Sequence, residues 1–195
     1  MPQIFNKFLF ALSLFIATAA NAQLSIEITG AGANRIPVAI ANFAGDTAAA
    51  QVVTATVRAD LERSGLFKLI DPAGATLDEN AQVNFADWKG RGADALAAGS
   101  VTRAPDGRMQ ARFRLYDTQK QVALGGAAYV TNGDQLRAAG HRIADYIYEK
   151  LTGEKGVFST RIAYVVKSGG QFKLQIADAD GQGAVTALSS TEPII

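Results

Sequence analysis

Nine residues, 108–116, most constrain what this chain can fold into. Met109, Ala111, Phe113 and Leu115 occupy one side of a period-two pattern, and Arg108, Gln110, Arg112, Arg114 and Tyr116 the other. A strand turns successive side chains to opposite faces, so this alternation demands a sheet with one dry face and one wet face. Pro105-Asp106-Gly107 is a turn in front of it, residues 117–121 turn the chain behind it, and residues 122–130 return as its hairpin partner.

The dry face needs a cover, and two helical stripes can supply it. Val53, Val57 and Leu61 recur every four residues, widened by Ala49 and Val52, between a cap at Gly45-Asp46-Thr47 and a stop at Ser64-Gly65. Leu136, Gly140, Ile143, Ala144, Ile147 and Leu151 form the second stripe, capped by Asn132-Gly133-Asp134 and ended by Gly153. Residues 36–43 are almost continuously apolar, as an interior strand is, with Pro37 near the start where a missing N–H is tolerated. Residues 66–70 are a short strand stopped by Asp71-Pro72, and strand, helix, strand in that order predicts a crossover unit. Residues 72–83 read as loop, Phe85, Ala86 and Trp88 as at most a helical turn, and residues 94–101 as an interior strand. The expected class is α/β (α+β), a mixed sheet with two main helices over residues 23–153.

A junction follows. The second helix ends at Gly153, residues 154–160 read as a linker, and a new strand begins at Arg161. Residues 161–166 and 172–177 are strands about Ser168-Gly169-Gly170, Asp178-Ala179-Asp180-Gly181 turns the chain, and Val185 opens a third strand. A ribbon of this size is marginal alone in water. Meanders with Asp-Gly turns are what propeller blades look like, so residues 161–195 read as a blade-like ribbon that looks unfinished.

The first 22 residues read as a signal peptide. Lys7 is a positive start, residues 8–20 are apolar, and Ala20-Asn21-Ala22 is a small-x-small cleavage site that leaves Gln23 first. The apolar run is well short of the ~20 residues of a spanning helix, so secretion with no transmembrane segment after cleavage is expected. There is no cysteine, hence no disulfide framework and no thiol for a lipid anchor. The 19 Lys+Arg lose only Lys7 with the signal, which leaves them level with the 18 Asp+Glu. A balanced charge argues against nucleic acid as a partner.

Catalytic signals are weak. Gly30-Ala31-Gly32 lacks the third glycine and the following helix of a phosphate loop and reads as a turn. Asp178-Ala179-Asp180-Gly181 resembles the opening of a calcium loop, but its glycine is misplaced and no bidentate Glu follows at the required spacing, so a hairpin turn is expected. His141 is the single histidine, read as a packing or capping residue. Nucleophile-elbow and zinc-protease motifs are missing from the sequence. The expectation is a non-enzyme with no cofactor and no metal. Arg108, Arg112 and Arg114 make a basic stripe, read first as a solvated face, next as a surface for a protein partner, and alternatively as a site for a small anionic ligand or glycan at Arg112 and Arg114.

Several segments together resemble the TolB family of the Tol-Pal system. They are Ile26-Glu-Ile-Thr-Gly30, Ile36-Pro-Val-Ala-Ile40 with Phe43-Ala-Gly45, Ala59-Asp-Leu-Glu-Arg-Ser-Gly-Leu-Phe67, Phe85-Ala-Asp-Trp88 with Gly92-Ala-Asp-Ala-Leu96, Phe113-Arg-Leu-Tyr-Asp117, and Tyr148-Glu-Lys-Leu-Thr-Gly-Glu-Lys-Gly156 followed by Thr160-Arg-Ile162. The resemblance implies a periplasmic adaptor with an N-terminal α/β domain before a β-propeller, supporting outer-membrane integrity and constriction during cell division. It implies that residues 161–195 are an incomplete first blade of a truncated propeller, that the propeller binds Pal and that the mature N-terminal strand engages TolA. On this chain that strand is Gln23, Leu24, Ser25, Ile26, Glu27 and Ile28, whose alternation suits pairing with a sheet edge. Pal is expected as a partner only where the rest of the propeller is present. Lys89-Gly90-Arg91 departs from the family pattern by placing a glycine where a more helical stretch is expected.

Overall fold

The computed structural model describes residues 35–194. The proposed signal peptide, its cleavage at Ala22 and Gln23, and the strand at residues 24–28 lie outside the described residues. Strand β1 (Ile36–Ile40) and β2 (Asn42–Gly45) precede helix α1 (Thr47–Arg63), β3 (Phe67–Ile70), β4 (Thr76–Leu77) and α2 (Phe85–Gly90). Then come β5 (Ala95–Arg103), β6 (Met109–Asp117), β7 (Val122–Thr131), a 3-10 turn (Gly133–Gln135) and α3 (Leu136–Thr152). A second sheet is built from β8 (Arg161–Ser168), β9 (Gln171–Asp178) and β10 (Val185–Ser190). The expected class holds: a mixed sheet, two main helices, then a separate antiparallel meander.

The apolar run predicted as one strand is one strand with a bulge. Ile40 lies opposite Ala97 and Ala44 opposite Ser100, so four steps along this strand match three along β5. An extra residue displaces ladder groups, and α1 side chains satisfy them. Arg58 donates to the Ile40 carbonyl through Nη2 at 2.6 Å and Nε at 3.2 Å, and Phe43 N–H donates to Thr54 Oγ1 at 3.2 Å. On its other side the bulged strand carries β3, parallel to β1, and then β4, parallel to β2. The two-residue β4 was not expected within the predicted loop. β5 runs parallel to the bulged strand and antiparallel to β6, which pairs in turn with β7.

Helices α1 and α3 cover one face. Val53, Val57 and Leu61 pack there with Ile143, Ala144 and Ile147 against Met109, Ala111, Phe113 and Leu115, as the stripes predicted. Val52, placed in the stripe by sequence, instead faces solvent, and Ala50, Thr54 and Thr56 are buried. Asp46 caps α1 by accepting from Ala49 N–H at 3.1 Å. At α3 the predicted cap fails: Asn132 makes no side-chain cap bond, because the chain first makes the 3-10 turn. Gly153 ends α3 in the left-handed conformation, φ 82°.

The second face is not uniformly wet. Trp88 of α2, Ala39, Ala41, Ala93, Leu96 and Ala98 form a small second core that includes Tyr116. Tyr116 was expected in solvent with the arginines. The segment that carries α2 folds back over this end of the sheet, where Phe85 meets the Tyr116 ring edge-on at 5.8 Å. Burial on both faces explains why β5 from Ala95 to Val101 is wholly inside. Gly90 ends α2 without breaking it early, so the departure at Lys89-Gly90-Arg91 leaves the helical turn intact.

The linker is anchored. Asp145 of α3 accepts from Phe158 N–H at 2.7 Å and Ser159 N–H at 3.0 Å, and Phe158 packs edge-on to Tyr148 at 5.6 Å. In the second sheet the order is β10-β9-β8, and among the described residues neither outer strand has a further neighbour. Ile162, Val165, Val185 and Leu188 are exposed there. No helix among the described residues is long and apolar enough to cross a membrane.

Candidate functional site

Two places gather polar chemistry. The first is a buried cluster where α1, α3 and the β9–β10 turn meet. His141 projects from α3 between the helices and is 2% exposed, while Asp60, one turn before the end of α1, is fully buried. His141 Nδ1 lies 2.6 Å from Asp60 Oδ2, and since an ionised carboxylate only accepts, Nδ1 carries the proton and donates. Arg63 donates to the other Asp60 oxygen at 2.9 Å. Beyond the ring, Nε2 faces the Arg137 guanidinium at 3.5 Å and Asp178 Oδ2 at 3.9 Å. Arg137 pairs with Asp180, which Arg63 also approaches at 4.0 Å.

Burial acts upward on the Asp180 carboxyl, but the Gln182 backbone N–H and the Arg137 guanidinium outweigh it and hold the group below its ordinary 3.8. The hairpin turn predicted at Asp178-Ala179-Asp180-Gly181 is present, with Gly181 N–H donating to the Asp178 carbonyl at 2.8 Å. His141 does more than pack or cap. Sequence reasoning missed this because the two carboxylates at the ring, Asp60 and Asp178, lie 81 and 37 residues away along the chain.

His141, Asp178 and Asp180 bring ligand atoms within 4.8 Å of one another. They do not suit a divalent cation, because Arg137 and Arg63 already bring two fixed positive charges to Asp180. The cluster's chemistry is cohesive: one histidine, two arginines and three carboxylates tie two helices to a turn of the second sheet.

The second place is the basic stripe on β6. Arg108 turns back to Asp106 at 2.7 Å, and Arg112 bonds to Gln110 and lies 4.0 Å from Glu79. Arg112 and Arg114 line an open trough of about 630 Å³, floored by Gly126 and Ala128 of β7. The structure thus brings Arg112 and Arg114 together and takes Arg108 away. Residues Gln23 to Ile28, expected to contact a partner, lie outside the described residues.

Comparisons with known proteins agree with this architecture. A family model described as the TolB amino-terminal domain matches residues 24–124. The chain is 76% identical over 195 residues to the Tol-Pal system protein TolB of Dechloromonas aromatica (strain RCB), covering 100% of this chain and 46% of that protein. It is 56% identical over 191 residues to the protein of the same name from Aromatoleum aromaticum, covering 98% and 45%. The chain spans about half the length of the curated relatives it matches. Among solved structures, TolB from Acinetobacter baumannii superposes with a TM-score of 0.72 at 35% identity, covering 83% of this chain and 40% of that one. With the family match extending over more than half its residues and the fold agreeing, the chain belongs to the TolB family.

Proposed function

We propose that the chain acts in the Tol-Pal system as a periplasmic, non-enzymatic adaptor that supports outer-membrane integrity and constriction during cell division. The observation that carries this reading is 76% identity, along all 195 residues, to a protein named for that system. Residues 1–22 are the signal peptide, residues 23–153 the N-terminal α/β domain, 154–160 the linker, and 161–195 the start of a first propeller blade. The antiparallel meander β8-β9-β10, with both outer edges unpaired among the described residues and apolar side chains exposed, suits that last assignment. The polar cluster at Asp60 and His141 serves as a structural tie, and no cofactor takes part.

TolA is the partner of Gln23, Leu24, Ser25, Ile26, Glu27 and Ile28, which alternate in a way that suits strand addition to an edge. Pal binds where the remainder of the propeller is present. Deleting residues 24–28 is expected to abolish capture of the TolA C-terminal domain in a pull-down, with the thermal midpoint of the folded chain unchanged. Undiminished capture would sink the strand contact.

A further inference from the structure

Strand β7 is ten residues long, carries no charge and no proline, and pairs on one side only, with β6, among the described residues. Natural sheets usually blunt such an edge with charges, proline or a covering element. Here the protection is partial. A bulge on β7 leaves Leu124 unpaired between Ala123, opposite Tyr116, and Gly125, opposite Leu115, and Gly125 there has φ 133° with the Tyr146 hydroxyl against it. That irregularity confines the receptive edge to residues 126–131.

The two faces beside this edge differ. On one, Gly126 lies opposite Arg114 and Ala128 opposite Arg112. Neither small residue screens the arginines, so both guanidinium groups can lie across β7 toward whatever pairs with it. A strand added to β7 would sit about 10 Å from β6, two strand spacings, a gap that an arginine and a glutamate bridge together. Arg114 has no acid within ion-pairing distance among the described residues, whereas Arg112 already faces Glu79. On the other face, Tyr129 stands half-buried beside Tyr146 at the mouth of a 260 Å³ hollow.

We infer that the β7 edge receives an extended partner segment in which acidic residues alternate with apolar ones, the acids meeting Arg114 and Arg112 and the apolar residues covering Tyr129. This goes beyond the proposed TolA contact, which uses residues 23–28. A second copy is the weaker occupant. Antiparallel self-pairing of β7 would place the arginines of both copies on one continuous face with no acid between them.

The test uses the full chain and a capped octapeptide alternating glutamate with valine, labelled for fluorescence anisotropy, beside its lysine counterpart. The glutamate peptide is expected to bind, to weaken as salt rises from about 0.05 to 0.5 M, and to slow amide exchange within residues 126–131. Arg114→Glu should weaken binding at least about tenfold, while Arg114→Lys keeps most of it. Equal binding of both peptides, binding without protection in β7, or dimerisation through β7 in sedimentation would each overturn the proposal.

Discussion

Replacing Asp60 with alanine should be among the most damaging single changes on either main helix, and the damage should be lopsided. The carboxylate is fully buried and accepts two charge-assisted bonds, from His141 Nδ1 at 2.6 Å and from Arg63 at 2.9 Å. The Arg63 end is cheap to lose, because that side chain is 43% exposed and returns to water; exposed ion pairs contribute about 0–1 kcal/mol. The His141 end is not. Its ring stays buried with a donor left unsatisfied, at about 1–3 kcal/mol, in addition to a lost charge-assisted bond of about 1.5–3 kcal/mol. Together these come to about 2.5–6 kcal/mol, a range that spans the ~3–5 kcal/mol of breaking a buried pair from one side. Arg63→Ala should cost about 1 kcal/mol by the same reasoning. Urea unfolding of the two variants, of His141→Ala and of the Asp60→Ala/His141→Ala double variant measures each term, and the cycle should return a coupling of about 1–3 kcal/mol. If Asp60→Ala and Arg63→Ala lie within 1 kcal/mol of each other, or the cycle closes at zero, the cluster does not work as described.

Two further outcomes follow from neighbouring contacts. Gly140→Ala should destabilise by about 1–2 kcal/mol in spite of the ~1 kcal/mol helix preference for alanine, since the added carbon meets Thr56 Cβ at 2.7 Å and Cγ2 at 2.9 Å where α3 crosses α1; a rise in unfolding midpoint would refute the close approach. Asp180, held below 3.8 when folded, contributes stability that is complete above that ordinary value and is lost as pH falls through the lower folded value. The acid limb of stability below about pH 4 should therefore be shallower in Asp180→Asn than in the parent, and identical limbs would show that Asp180 binds its proton equally in both states.

Periodicity made the first core legible. Met109, Ala111, Phe113 and Leu115 on the strand, with Val57, Leu61, Ile143 and Ile147 on the helices, are fixed by local spacing alone, and all are buried. Tyr116 breaks its strand's pattern because a segment about 30 residues upstream folds over that end of the sheet, and no period within residues 108–116 encodes that. The bulge at Ala41 was hidden for the same reason. An unbroken apolar run reports burial, while register is decided by the partner strand and by where Arg58 and Thr54 can satisfy freed backbone groups. His141 was visible as the one histidine, but its meaning depends on Asp60 and Asp178 arriving from two other elements, α1 and β9, beside Arg137 of its own helix.

Those contacts also decide how the junction behaves. A free linker between residues 153 and 161 would let the second sheet move independently of the helices. Instead Asp145 holds two linker amides, Phe158 is inserted beside Tyr148, and the turn after β9 is gripped by Arg137 from α3 and approached by Arg63 from α1. The grip joins the turn to both main helices, so a shift of α3 against α1 cannot leave the turn where it is without separating Asp180 from one of its arginines. The β7 edge lies across the same helix α3, through Tyr129 and Tyr146 against Phe113. One helix therefore contacts both β7 and the turn after β9, and a segment docked on β7 would act on the element that fixes the junction. Such coupling requires that docking favour one placement of α3 over another. Its physical route is helix α3 itself, which carries Tyr146 against Phe113 on one side and, less than three turns away, His141 and Arg137 beside the turn after β9 on another.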